Sequence, residues 1–152
     1  MSKTITVYTD GACRGNPGIG GWGAYIIHDN NIIKIKGNET NTELFSIFET
    51  TNNRMEITAA IEALKFIDDD SKVKIYTDSK YLKDGITEWL HQWKSNGWKT
   101  SSNKKVKNID LWLELDNLII NHDIEWSWIK GHSGDLGNDE ADKLANEAID
   151  EI

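Results

Sequence analysis

The sequence predicts an α/β fold, in which a mixed sheet is flanked by helices, on three observations. Residues 4–10 read Thr-Ile-Thr-Val-Tyr-Thr-Asp and residues 72–78 read Lys-Val-Lys-Ile-Tyr-Thr-Asp, both with the two-residue alternation and β-branched content of a strand. Helical patterning lies between them, as a crossover joining parallel neighbours requires. The stretches Trp22 to Asp29 and Ile32 to Lys36 alternate as an antiparallel hairpin that leads away from the first strand. Each repeated phrase ends on an aspartate, so Asp10 and Asp78 are expected at the same end of the sheet. Adjacent carboxylates repel. An unpaired pair shares a proton, whereas a bound divalent cation lets both stay ionised. The repeat therefore reads as a carboxyl dyad, as a metal site, or as an Asp that opens a turn at two strand ends.

In chain order, the first strand runs into the glycine-rich turn Gly11 to Gly21. Such a turn brings main-chain N–H groups close to an anion or sugar, but it is neither a Walker loop nor a GxGxxG before a helix. The hairpin turns at Asn30-Asn31, whose side chains tolerate positive φ. Leu44, Phe45, Ile47 and Phe48 in the long polar connection from Gly37 to Thr51 read as a short packed segment. A helix starts at Thr51-Asn-Asn-Arg-Met-Glu56, with Asn53 as N-cap and Glu56 completing a capping box. Its apolar face is Ile57, Ile61, Leu64 and Ile67, and the small Ala59, Ala60 and Ala63 flank Glu56, so that carboxylate either caps or points at the sheet end. Asp78-Ser79 caps a helix with Tyr81, Leu82, Ile86, Trp89, Leu90 and Trp93, and Asn108 caps another with Ile109, Trp112, Leu115, Leu118 and Ile119. Ile124 to Lys130 alternates as a strand. After the loop Gly131 to Gly137 comes a last helix with Ala141, Leu144, Ala145, Ala148 and Ile149 as its stripe. Asp142 lies beside that stripe, where an acid also complements a helix N-terminus. His132 lies in the preceding loop.

At 152 residues with no linker composition, a single domain over 1–152 is expected. The start has no signal-peptide core and no apolar run spans a bilayer, so a soluble cytoplasmic protein without membrane association is expected. The single Cys13 has no partner for an internal disulfide and no companions at zinc spacing. The net charge of −8 is unevenly spread. Residues 89–109 hold no acid and carry Lys94, Lys99, Lys104, Lys105 and Lys107, which leaves −13 for the remainder. Interleaved with Trp89, Trp93 and Trp98, these lysines read either as a solvated face or as a nucleic-acid groove of cations and flat rings. Taken together, Asp10, Glu56, Asp78 and Asp142 would converge from two strand ends and two helices. Oxygen donors of this kind select Mg²⁺ or Mn²⁺ over zinc, and paired ions about 3.5–4 Å apart perform phosphodiester hydrolysis.

Several blocks resemble type 1 ribonuclease H, in particular its bacterial single-domain form. They are Tyr-Thr-Asp10-Gly-Ala-Cys-Arg-Gly-Asn16-Pro-Gly, Thr51 to Glu56, Thr77-Asp78-Ser79, Gly85-Ile-Thr-Glu-Trp-Leu, Val106 to Trp112, and Trp128-Ile-Lys-Gly-His132 through Asn138 to Asp142. The resemblance implies a five-stranded mixed sheet in the order 3-2-1-4-5, flanked by helices. It implies an endonuclease that cleaves the RNA strand of RNA–DNA hybrids with two Mg²⁺ ions, or Mn²⁺ as substitute, leaving 5′-phosphate and 3′-hydroxyl ends; a monomer is expected. By the same resemblance Asp10, Glu56, Asp78 and Asp142 are the metal ligands, and His132 assists proton transfer or product release. Cys13, Gly15, Asn16, Asn52 and Asn53 are similar to minor-groove contacts, including those to the 2′-hydroxyls that distinguish RNA from DNA. Thr51 and Asn108 resemble a DNA-phosphate pocket, Tyr81 and Trp93 a DNA-sugar channel, and Lys99, Lys104, Lys105 and Lys107 the basic protrusion.

The chain departs from that pattern in its longer segment before Thr51, in Glu49 where some members carry arginine, in Lys80 where glutamine is common, and in the acidic, glycine-rich Gly134 to Gly137. Two other classes compete. A hybrid-binding module without activity would lack a carboxylate, and all four are present; another nuclease or polynucleotidyl transferase of the same fold would cut DNA.

Overall fold

The computed structural model describes residues 4–15, 18–39, 50–67, 71–100, 102–130 and 135–151. Among them are five strands, β1 (Thr4–Arg14), β2 (Ile19–His28), β3 (Asn31–Glu39), β4 (Lys72–Thr77) and β5 (Asp123–Trp128). The helices are α1 (Asn52–Phe66), α2 (Lys80–Asp84), α3 (Leu90–Ser95), α4 (Ile109–Ile120) and α5 (Leu136–Asp150), with a π-helical turn, Gly85–Trp89, joining α2 to α3. The sheet order is β3-β2-β1-β4-β5. The strands β1, β2 and β3 are antiparallel, while β4 runs parallel to both β1 and β5. The expected five-stranded mixed sheet is thus present in the expected order.

The repeated phrase pairs with itself: Tyr8 faces Tyr76 and Thr9 faces Thr77 in parallel register. Asp78 follows β4 directly, but Asp10 does not end β1. The stretch read as a turn continues the strand, with Gly11 opposite Trp22 and Arg14 opposite Ile19. Glycine composition imitates a loop, yet here pairing with β2 holds the backbone extended. The hairpin turn also lies one residue earlier than expected, at Asp29 and Asn30 (φ 54° and 72°), with His28 paired to Asn31. Positive φ at both central residues is the type I′ geometry, which matches the twist of the flanking strands.

Side-chain alternation divides the sheet into two faces. On one, Ile5, Val7, Ile26, Val73 and Ile75 pack in a core with Ile57, Ile61 and Leu64 of α1, Leu82, Trp112 and Leu115. On the other, Ala141, Leu144, Ala145 and Ala148 of α5 are buried, and α5 lies across β1, β2 and β3. Both helices approach where side chains are missing. A Cβ on Gly11 would stand 2.5 Å from the main-chain N of Glu56, and one on Gly23 would stand 2.6 Å from the main-chain O of Ala141. No helix among the described residues is long and apolar enough to cross a membrane.

Gly23→Ala should therefore lift α5 from β2. Overpacking of this kind costs about 1–3 kcal/mol, which thermal unfolding should show as a melting point lower by roughly 2–10 °C. An unchanged melting point would mean that the helix seats elsewhere.

Candidate active site

Thr51, not Asn53, caps α1. Its backbone is extended (φ −128°, ψ 160°) and its Oγ1 accepts from the Arg54 N–H at 3.2 Å. The shift places Glu56 beyond the first turn, on the buried face, where its Oε1 accepts from the Gly11 main-chain N–H. The capping-box alternative for Glu56 is thereby set aside. Gly11 also donates to Asp10 Oδ1 at 2.9 Å, so one peptide N–H serves both carboxylates. Ser79 caps α2, accepting from Leu82 N–H at 3.1 Å, and Trp128 Nε1 donates to the Asp78 main-chain oxygen at 3.2 Å.

Asp10, Glu56 and Asp78 each present an oxygen within 4.8 Å of the others, and Asp10 and Glu56 are buried. Asp142, from α5, borders the same cleft of about 510 Å³ together with Cys13, Asn52, Asn53 and Asn146. Burial pushes the Asp10 carboxyl far up, and the charge of Glu56, their mutual hydrogen bond, the charge of Asp78 and the contact with Asp142 add to the rise. Burial raises Glu56 too; the bond with Asp10 pulls it back and the Asp78 charge raises it again. Without a cation the pair holds a proton between them. The donor set fits a hard divalent ion, because every donor is a carboxylate oxygen and a divalent charge can replace that proton.

A second groove, about 420 Å³, is lined by Tyr81, Trp89, Trp93, Lys99 and Lys107 among others. Tyr81 borders both clefts. Its ring packs against Trp89 and Trp112 with centroids 5.4 and 5.6 Å away, and Trp93 packs on Trp112 at 5.5 Å. Trp93 therefore serves both alternatives, as wall of the groove and as edge of the core, whereas Trp89 lines the groove and Trp98 packs on the core. Lys104 and Lys105 are exposed outside the groove, and Lys105 bridges to Lys99. Lys94 is paired with Asp116 at 3.3 Å.

Asn108 does not cap α4 with its side chain. It sits in the left-handed region (φ 61°), and its Nδ2 donates to Tyr81 Oη at 3.1 Å while its Oδ1 accepts from Arg54 Nη1 at 3.2 Å. Arg54 also holds Asp110 with two bonds of 3.0 and 2.8 Å, which draws Asn108 and the Thr51 turn together. Cys13 Sγ lies 3.3 Å from the Thr50 carbonyl oxygen, and Gly15 takes positive φ (75°). Asn16, His132, Glu49 and the segment containing Leu44 to Phe48 lie outside the described residues. Asn146 and Trp128 were missed as site residues. The first was detectable from its four-residue spacing after Asp142; Trp128 acts through a main-chain contact with no sequence signal.

A sheet in this order with acids gathered over its central strands defines a ribonuclease H-like fold. The chain belongs to the RNase H family, whose model matches residues 2–150. It is 53% identical over 150 residues to the Ribonuclease H of Francisella philomiragia, covering 99% of this chain and 93% of that one. The Ribonuclease H of Francisella tularensis subsp. novicida is also 53% identical, over 97% of this chain and 92% of its own. Among solved structures, LC9-RNase H1, a type 1 RNase H with the type 2 active-site motif, superposes with a TM-score of 0.83 at 32% identity, covering 99% of this chain and 74% of that one. LC11-RNase H1, solved in complex with an RNA/DNA hybrid, gives 0.65 at 25% identity over 97% of each chain.

A carboxyl whose pKa is higher folded than unfolded keeps its proton more tightly in the folded state. Its contribution is fully present below the unfolded value of about 4 and is lost as pH rises toward the folded one. In chelator, wild-type stability should thus fall as pH rises from about 4, through the value of about 7 to which Glu56 is raised, toward about 11 for Asp10, and Asp10→Asn should flatten that fall and melt on the order of 5 °C higher at pH 8. Parallel pH curves for the two proteins would contradict the crowding of Asp10.

Proposed function

We propose that the chain hydrolyses the RNA strand of RNA–DNA hybrids as a single-domain, monomeric endonuclease, with Asp10, Glu56, Asp78 and Asp142 holding two Mg²⁺ ions, for which Mn²⁺ can substitute. One observation carries the reading: the carboxylate cleft and the aromatic–lysine groove share the wall formed by Tyr81. A duplex with one strand against Tyr81, Trp93, Lys99 and Lys107 presents its other strand to the acids. The hybrid-bound LC11-RNase H1 supports the choice of duplex.

When bound, divalent ions of this kind activate the attacking water and offset charge on the leaving oxygen. The chain's own groups do the rest. In this reading Asn52 and Asn53, exposed at the rim, join Cys13, Gly15 and Asn16 in reading the minor groove and its 2′-hydroxyls. Thr51 and Asn108, drawn together by Arg54, hold a phosphate of the DNA strand. Lys104 and Lys105 attract the backbone from outside the groove. Water oxygen bonds to phosphorus as the P–O3′ bond breaks, and the 3′-oxygen takes a proton, so the products carry 5′-phosphate and 3′-hydroxyl. His132 moves that proton or speeds release.

The test is cleavage of end-labelled RNA–DNA, RNA–RNA and DNA–DNA duplexes in Mg²⁺. Cutting confined to the RNA of the hybrid, and abolished in Asp10→Asn and Asp78→Asn, is the expected result. Cleavage of DNA would move the protein to another nuclease class, and near-full turnover by Asp10→Asn would overturn the metal assignment.

Neutralising Lys99, Lys104, Lys105 and Lys107 together should weaken hybrid binding. The slope of log affinity against log salt should become shallower by up to about 3–4, one counterion's worth per lost phosphate contact, with the rate at saturating hybrid retained. Binding titrations across a salt series check this, and an unchanged slope would return the lysines to a solvated face.

A further inference from the structure

On α5, Asn138, Asp142 and Asn146 recur at four-residue spacing and so lie along one face of the helix. Asp142 and Asn146 both border the catalytic cleft, and both are half-buried. The close-set group of Asp10, Glu56 and Asp78 does not include Asp142. Its carboxylate instead meets Asp10 on one side and Asn146 on the other. Asn146 Nδ2 donates to the Asp142 main-chain oxygen at 3.0 Å and stands 3.4 Å from Asp142 Oδ1. The main-chain oxygen of Asn146 accepts from Arg14 Nη2 at 3.3 Å, and Arg14 Nη1 pairs with Asp150 at 2.6 Å. Asn146 thus joins Asp142 to the end of β1, the strand that carries Asp10.

We infer that Asn146 is a positioning residue that orients the Asp142 carboxylate for a divalent cation, an inference that rests on the metal-binding role proposed for Asp142. An amide donor on Oδ1 restrains rotation of the carboxylate and leaves its remaining lone pairs to a cation. Being uncharged, the carboxamide does not compete with that cation, as an ammonium or guanidinium in its place would. Groups that hydrogen-bond a ligating carboxylate typically contribute about 10–100-fold in metal affinity. At 3.4 Å the bond is long, so the lower end, about tenfold, is the expected size.

Mn²⁺ binding to the full chain, without nucleic acid, is followed by the electron paramagnetic resonance signal of the free ion, with thermal unfolding in chelator measured alongside. Asn146→Ala should weaken Mn²⁺ binding about tenfold, and Asn146→Gln, which keeps a donor, should recover most of the loss. In an Asp142→Asn background Asn146→Ala should change the affinity little, because the residue acts through Asp142. A merely structural Asn146 would lower the melting point of Asn146→Ala and leave Mn²⁺ affinity where it was, which would overturn the inference. An equal loss of affinity with and without Asp142 would overturn it as well. Mn²⁺ binding that ignores Asp142→Asn would overturn both the inference and the metal-binding role of Asp142, whereas normal sensitivity to Asp142→Asn with none to Asn146→Ala sinks the inference alone.

Discussion

The site depends on two places where the sheet has no side chain. Gly11 and Gly23 are close on the central hairpin but open to opposite faces, and each admits a helix backbone nearer than any Cβ would allow. Through the first opening α1 delivers Glu56; against the second, α5 seats and delivers Asp142. Asp10 lies between them, opposite Gly23 and next to Gly11. The acids therefore arrive from both sides of one sheet onto a strand that is paired with β4 up to Thr9 and with β2 through Asp10 to Arg14. Crowding of this degree opposes folding when the charges are bare, and a carboxylate cluster that must ionise to bind metal needs packing from elsewhere to hold it. The aliphatic core under α1 and the alanine stripe of α5 provide that packing.

Much of this was readable in advance because it follows from short-range pattern. The two Tyr-Thr-Asp phrases predict parallel neighbours, and the register Thr9 to Thr77 bears that out. What escaped was set by partners distant in sequence. Gly11 to Arg14 looks like a loop until β2 pairs with it. Asn53 is as good an N-cap as Thr51 by residue type, and only the extended backbone at Thr51 decides between them. The π-helical turn at Gly85–Trp89 has no counterpart in apolar periodicity. It occurs where Gly85 passes so close to the Trp112 ring that a Cβ would stand 2.1 Å from it.

The polar residues were harder still. Asn108 has the composition of a cap, yet its side chain is occupied by Arg54 and Tyr81. That bond set couples the start of α1, the start of α4 and the aromatic wall, so a residue assigned to a phosphate pocket is also a structural hub. The lysines and tryptophans of residues 89–109 were visible as composition, but their division into groove wall, core edge and exposed cation is a matter of packing.

The continuation of β1 past Asp10 bears on which changes of length the fold tolerates. Because the carboxylate sits inside a paired hairpin, a residue inserted or lost between Asp10 and Arg14 would exchange the faces of everything beyond it. The acid would keep its place while the side chains of the cleft-lining Ala12 and Cys13 turned to the opposite faces. The type I′ turn between β2 and β3 has no such lever on the site. Natural variation in loop length should therefore collect at that distal turn and stay out of the first hairpin.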